Sequence, residues 1–431
     1  MALPDPVIVI PGVTANYLQD RYPLPPDDFW TVLSLDYTRA MPHPDNPGIE
    51  AVQPAFVQPG QLYEIAYKEI IEELRHNLSP SADQPVPVFG FSYNWRQQLE
   101  KTEEDLSRFV DDVIARTSAL RHYVRDGYPA RAKVNLVAHS MGGLIAAGYL
   151  SRYEDKSRVG KVVTLAAPWH GSFEAVIKVT TGTANLGAKT PSSREREAAR
   201  VTPSLYYLLP DVPDGLFTDP PLPDTLFDPG LWQPSILNSI QETIRLYGNN
   251  PNDIPGQAIT RLKTMLSDAS AHRSRINAFR LDSARLTPKD WLCVVGVNAT
   301  TRVRLQVVKQ ADGTPDFQFH SSDRDNQWAN HDQAQRIYTG DGTVPFEGAV
   351  PSFLERANLV CVTPEDYGYW EWSDQITTAI AGFHGLMPNM NMLHRLIVRH
   401  FTGASDDHGN TWGRRAPGVE NWAPPLPLFE K

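Results

Sequence analysis

Val134-Asn135-Leu136-Val137-Ala138-His139-Ser140-Met141-Gly142-Gly143-Leu144-Ile145-Ala146-Ala147-Gly148-Tyr149-Leu150 reads as a strand, a sharp turn and a helix. The apolar run up to Ala138 suits a buried strand, and the small and apolar residues after Gly143 suit a packed helix. A turn this tight strains the residue at its apex and pushes that side chain up and out. Such strain needs small neighbours two positions to either side, and here they are Ala138 and Gly142. Ser140 therefore carries the pattern of an exposed nucleophile at the N-terminus of a helix, whose dipole favours developing negative charge.

Moving outward from Ser140, five further short apolar runs read as strands. They are Pro6–Ile10, Val86–Phe91, Val159–Leu165, Trp291–Val295 and Leu359–Val362. Runs apolar on both faces suit parallel strands covered on both sides. Between them lie helical periods. Leu106, Phe109, Val110, Val113 and Ile114 share one face, and Tyr63 to Leu78 shows a similar stripe. This alternation predicts an α/β fold with a mostly parallel, doubly wound sheet. From Phe173 to Lys289 the rhythm breaks into Pro clusters and polar helical pieces, with no convincing buried strand. We read a core over 1–172 and 291–403, an inserted cap over 173–290, and an extended C-terminal arm over 404–431, where Gly, Pro and Trp recur.

A serine nucleophile needs partners. Two backbone N–H groups must hold an oxyanion. Met141, next after the serine, supplies one, and Val13 in the Pro11-Gly12-Val13 turn after the first strand is the candidate for the other. An acid and then a histidine should follow in chain order. Asp341, between Gly340 and Gly342, follows the fifth strand. His384 lies on a loop after the sixth strand and ahead of the last helical stripe. Of the other histidines, His394 reads as packed on that helix, and His400 and His408 as terminal or surface residues. The histidines show no metal-binding spacing, so neither a metal nor an organic cofactor is expected.

The 431 residues exceed what one simple core needs, and 41% are hydrophobic, enough for a sizeable interior. A net charge of −10 argues against nucleic acid or an anionic membrane surface as partner, though not against a neutral lipid or a small ester. Oligomeric state is not legible. No signal peptide and no membrane-spanning run is read, which makes the cytoplasm the expected location. Cys293 and Cys361 each sit inside an apolar run and read as buried thiols, a disulfide being the alternative.

With these residues placed, the chain resembles the lecithin:cholesterol acyltransferase family of α/β-hydrolases. The likeness rests on an ordered set: Pro6–Val13, Phe91-Ser92-Tyr93-Asn94-Trp95-Arg96, Ala138–Gly142, Leu165–Ser172, Val201–Pro210, Gly340–Val344 and His384. Asn94 stands where the family usually has Asp, which removes a charge beside Arg96. Val13-Thr14-Ala15-Asn16 lacks the usual Gly after the turn. The cysteine-closed membrane-binding insertion of the animal enzymes is not seen in the polar, Pro-rich stretch from Pro23 to Pro54. The resemblance implies an α/β-hydrolase fold with a cap and a carboxylic-ester hydrolase, an esterase or lipase, working through Ser140, Asp341 and His384. A phospholipase A or lipid acyltransferase with the same residues is the alternative, and a non-catalytic scaffold a third. Trp169, His170 and Leu208 are the candidate substrate contacts, the partner being an ester or lipid with peripheral lipid contact. Trp95 is expected in the core, and Arg96 as a tie between loops.

Overall fold

A computed structural model describes residues 2–31, 34–52, 54–182, 192–327, 338–368, 371, 382–404 and 413–426. Its centre is one parallel sheet of six strands: β1 (Val7–Ile10), β2 (Val88–Gly90), β3 (Val134–His139), β4 (Val159–Leu165), β5 (Trp291–Gly296) and β6 (Leu359–Val362). These are the six runs read from the sequence. Across the sheet the order is β2-β1-β3-β4-β5-β6, with every pair parallel. The chain steps from β1 outward to β2, then returns to the other side of β1 with β3. The order therefore reverses between β1 and β3, and ligands of open α/β sheets bind beyond the strand ends at such a point.

Both faces of the sheet are covered, as continuous apolar strands require. Ile8 and Ile10 point into a layer with Leu106 and Val110 of α2 (Leu99–Ser118) and Leu144 of α3 (Met141–Tyr153). Val7 and Val9 point the other way, against Ile70 and Leu74 of α1 (Glu64–Leu78) and against Leu393 and Leu396 of a C-terminal helix, Asn391–Thr402. Adjacent residues feed opposite layers because a strand's side chains alternate with period two. A register slip by one residue would exchange the two sets wholesale.

The stretch read as a cap is mainly helical. Its helices are α4 (Phe173–Thr180), α5 (Ser193–Val201), α6 (Pro234–Tyr247) and α7 (Ile254–Asn277). The sequence reading gave this region no strand, but Leu216–Thr218 is one. It pairs in parallel with Leu305–Lys309, which pairs antiparallel with Pro315–Gln318. Three residues are too few to show a period, and Phe217 is half exposed. A second small sheet, from Asn16–Asp20, Asp27–Trp30 and Val57–Leu62, is antiparallel and lies within a stretch whose prolines hid it.

Cys293 and Cys361 are free, buried thiols, and burial pushes Cys293 up to about 12. The described part of the C-terminal arm runs along the outer edge of the sheet. The Arg414 and Cys361 backbones exchange two hydrogen bonds of 2.8 Å, and Trp422 Nε1 donates to the Leu359 carbonyl. This covers the open edge of β6, which would otherwise offer unpaired backbone groups to another chain. His400, read as a surface residue, is instead buried, with Nδ1 on the Pro425 carbonyl at 3.1 Å, because the arm folds back over it. His394 is packed as expected. His408 lies outside the described residues.

Candidate active site

Ser140 sits between the end of β3 and the start of α3 with φ 54° and ψ −128°. This region is unfavourable for a residue with a Cβ and costs about 1–3 kcal/mol. Surrounding structure holds it there. The Ser140 N–H donates to the Leu165 carbonyl of β4 at 2.9 Å. Gly142 packs against the end of β1 so closely that a Cβ there would stand 2.5 Å from the Ile10 oxygen and 2.8 Å from the Pro11 oxygen. Only glycine lets the helix start this near the neighbouring strand.

The register of β1 on β3 sets Ile10 beside Ala138, so the Pro11-Gly12-Val13 turn falls beside His139 and Ser140. A Cβ on Gly12 would lie 3.1 Å from Ser140 Cβ and 3.5 Å from Ser140 Oγ. Glycine thus keeps the space in front of the hydroxyl open. Among the described residues the Val13 N–H has no hydrogen-bond partner. The Met141 N–H belongs to the first turn of α3, where amides have no intrahelical acceptor.

Asp341 comes 45 positions after the end of β5 (341 minus 296) yet lies at that strand's tip. The intervening excursion returns through Ala299, whose N–H donates to the Gly340 carbonyl at 3.0 Å. Asp341 Oδ1 accepts from the N–H groups of Thr343 (2.9 Å) and Val344 (2.7 Å), which leaves Oδ2 for the histidine. His384 Nδ1 lies 2.7 Å from Asp341 Oδ2, and His384 Nε2 lies 2.8 Å from Ser140 Oγ. A carboxylate only accepts, so Nδ1 carries the proton and Nε2 is free to accept from the serine hydroxyl. Ser140 after β3, Asp341 at the tip of β5 and His384 in the short helix Phe383–Leu386 thus form one hydrogen-bonded line, able to move a proton off Ser140.

The line opens into a cavity of about 490 Å³. Trp30, Leu35 and Tyr37 wall it from the small antiparallel region, and Ala199, Leu205 and Leu208 wall it from the cap. Its polar lining includes Glu174, Lys178 and Glu195, with Lys178 Nζ 2.7 Å from Glu195 Oε1. Of the three residues read as substrate contacts, Leu208 lines the cavity and Trp169 and His170 do not. Trp169 is buried against Trp291 and Phe353 at ring distances of 6.1 and 5.3 Å, so it fills the core beneath the site. His170 turns outward, with Nδ1 on Asp211 Oδ1 at 3.0 Å. Trp95 does double duty, being buried against Trp30 at 4.7 Å and also lining the cavity. Arg96 ties to Asn94 Oδ1 through Nε at 2.9 Å.

The sequence model of the lecithin:cholesterol acyltransferase family matches residues 46–251. The chain is similar to that family. The chain also resembles solved structures of low identity. The crystal structure of the Tle4-Tli4 complex contains a chain 14% identical, with a TM-score of 0.57, covering 94% of this chain and 100% of that one. Phospholipase PlaB from Legionella pneumophila is 14% identical over 49% of this chain and 38% of its own, with a TM-score of 0.23. No curated protein matches the sequence. The first structural likeness covers nearly the whole chain and shows that the two share a fold. No described helix is long and apolar enough to cross a membrane.

Proposed function

We propose that the chain is a serine hydrolase that cleaves carboxylic esters of lipid type through an acyl-enzyme on Ser140. The observation that carries this reading is the line Ser140 Oγ–His384 Nε2–Asp341, with contacts of 2.8 and 2.7 Å, at the end of a largely apolar cavity. His384 takes the Ser140 proton as Oγ attacks the ester carbonyl. Asp341 holds the imidazole in the required tautomer and stabilises the imidazolium. The N–H groups of Val13 and Met141 receive the oxyanion, and His384 returns the proton to the leaving alkoxide. Water then repeats the cycle and releases the acid. The family match supports a lipid-acting hydrolase or acyltransferase, and the apolar walls suit an acyl chain.

The reaction is tested with a chain-length series of p-nitrophenyl esters beside a phospholipid, wild type against Ser140→Ala. Ester cleavage that vanishes in Ser140→Ala, with a fluorophosphonate probe on Ser140, is the expected result. Full activity in Ser140→Ala, or labelling elsewhere, defeats the reading. Preferred cleavage of the phospholipid, or transfer to an added alcohol faster than hydrolysis, moves the assignment to a phospholipase A or an acyltransferase.

A further inference from the structure

Two tyrosines grip one peptide plane at the turn beside Ser140. The Pro11 carbonyl accepts from Tyr93 Oη at 3.1 Å, and the Gly12 N–H of the same peptide donates to Tyr67 Oη at 3.0 Å. Both side chains are buried. Tyr67 Oη in turn lies 2.7 Å from His139 Nδ1, and His139 Nε2 lies 2.9 Å from the carbonyl oxygen of His384. A continuous chain of hydrogen bonds therefore joins the turn after β1 to the backbone of the short helix Phe383–Leu386 that carries His384. It runs through the residue immediately before the serine.

The direction of every proton in this chain is fixed from both ends. An amide N–H only donates, so Tyr67 Oη accepts from Gly12 and has its own proton left to give. A carbonyl only accepts, so His139 Nε2 holds a hydrogen and donates it to His384. His139 Nδ1 is then bare and takes the Tyr67 proton. The two constraints agree on one tautomer of a neutral imidazole. Burial keeps that ring neutral, pushing His139 down to about 3. The Gly12 N–H is engaged by Tyr67, which leaves the Val13 N–H as the turn's donor toward the oxyanion.

We infer that Tyr67 and His139 are positioning residues that hold the oxyanion turn and the short helix of His384 in one register. The inference rests on the catalytic reading above. Neither residue needs to touch the substrate. Tyr67 stops the Pro11–Gly12 peptide from rotating, and with it the Val13 N–H that follows. His139 fixes the height of the His384 backbone relative to Ser140. A donor that shifts by a fraction of an ångström binds the ground-state carbonyl about as well, but binds the tetrahedral oxyanion worse.

The test compares Tyr67→Phe, His139→Gln and His139→Asn with wild type, with rates normalised to the serine titrated by a fluorophosphonate. Gln puts an amide nitrogen near the Nε2 position and keeps the His384 link. Asn puts an acceptor near the Nδ1 position and keeps the Tyr67 link. Each His139 variant breaks one link and Tyr67→Phe breaks two, those to Gly12 and to His139, and each is expected to lose about ten- to a hundredfold in kcat on a p-nitrophenyl ester with KM unchanged. The dissociation constant of phenylboronic acid, whose serine adduct is tetrahedral, is expected to rise in parallel. Amide hydrogen exchange at Gly12 is expected to quicken in Tyr67→Phe and in His139→Gln. A role in folding alone would lower the titre and the melting temperature and leave the normalised kcat in place. A folded Tyr67→Phe with normalised kcat within about twofold of wild type and unchanged boronate affinity would overturn the inference. If Ser140→Ala is inactive at the same time, the catalytic reading survives that result. Activity in Ser140→Ala would remove both.

Discussion

Glu103 of α2 and His272 of α7 meet at 2.9 Å, with both side chains buried. The same carboxylate receives Arg275 Nη2 at 2.7 Å and Arg152 Nε at 3.1 Å. One acid thus joins the core helix α2, the helix α3 behind Ser140, and the cap helix α7. Burial alone would raise the Glu103 pKa, but the hydrogen bond from His272 and the charges of His272 and Arg275 outweigh it and hold it below its ordinary value. A carboxyl with a depressed folded pKa contributes stability that is complete above its unfolded value. That contribution is lost as pH falls through the folded value. Glu103→Gln removes the buried charge at the centre of the cluster and leaves Arg152 only Glu104 and Arg275 only Glu100, and the expected loss at neutral pH is about 3 kcal/mol. The gap between the two proteins should close on acidification. Urea midpoints across that pH range measure it, and equal midpoints at pH 7 would show that the cluster contributes nothing.

Gly142→Ala should remove activity at little cost in overall fold. The added Cβ would press on the Ile10 and Pro11 carbonyl oxygens, so either α3 or the turn after β1 must retreat. Both carry a proposed oxyanion donor. Loss of one such donor costs about a hundred- to a thousandfold in kcat, and the variant should fall at least that far. Circular dichroism and the hydrolysis rate together check this. A well-folded, fully active Gly142→Ala would mean that the turn tolerates displacement.

Asn94→Asp should stabilise the protein. Arg96 is fully buried, and its Nη1 and Nη2 have no partner among the described residues. Burial lowers its pKa to about 10, so the guanidinium stays charged at neutral pH. Its Nε is held only by the neutral amide oxygen of Asn94. A carboxylate at 94 converts that contact to a charge-assisted pair, which is about twice as strong. The exchange gives up the weaker bond from Asn94 Nδ2 to the Gly48 carbonyl at 3.2 Å. A gain of about 1 kcal/mol is expected, read as a higher melting temperature. A lower one would show that the Gly48 contact matters more.

How much of this was legible depended on the range of each signal. The six sheet strands could be read because fully buried strands leave uninterrupted β-branched runs. Ser140, Asp341 and His384 could be read because each follows such a run in the order a serine site requires, and the structure brings them into contact. The Leu216–Thr218 strand could not, since its pairing partner lies some 90 residues on (305 minus 216 is 89) and nothing local marks it. Trp169 and His170, expected as substrate contacts, turn away from the cavity, and the sequence hides this for a related reason. Their loop follows β4 near the site, but a sequence cannot tell which way a loop side chain turns. One faces the core and the other faces Asp211. Tyr67 was read only as part of an apolar helical stripe, and a tyrosine on such a stripe looks like packing. Its hydroxyl gains meaning only from Gly12 and His139, 55 and 72 residues away.

Leu208→Trp should shift chain-length preference and leave the chemistry intact. Leu208 lines the cavity from the cap, while Ser140, His384 and Val13 line it from the core. Each acyl methylene that enters an apolar wall gains about 0.8 kcal/mol. Wild-type kcat/KM should then climb about fourfold per added CH₂ until the chain fills the available space. An indole at 208 takes part of that space without touching the line from Ser140 to Asp341. Short esters such as the acetate should keep their rate, and the climb should end several carbons earlier. The comparison is internal to one protein preparation, so partial unfolding would scale all substrates together and could not imitate a shift in the optimum. An unchanged chain-length optimum in a variant with a wild-type melting temperature would mean that the acyl chain leaves Ser140 in another direction. The polar side of the cavity, where Lys178 and Glu195 pair, would then be the place to look for it.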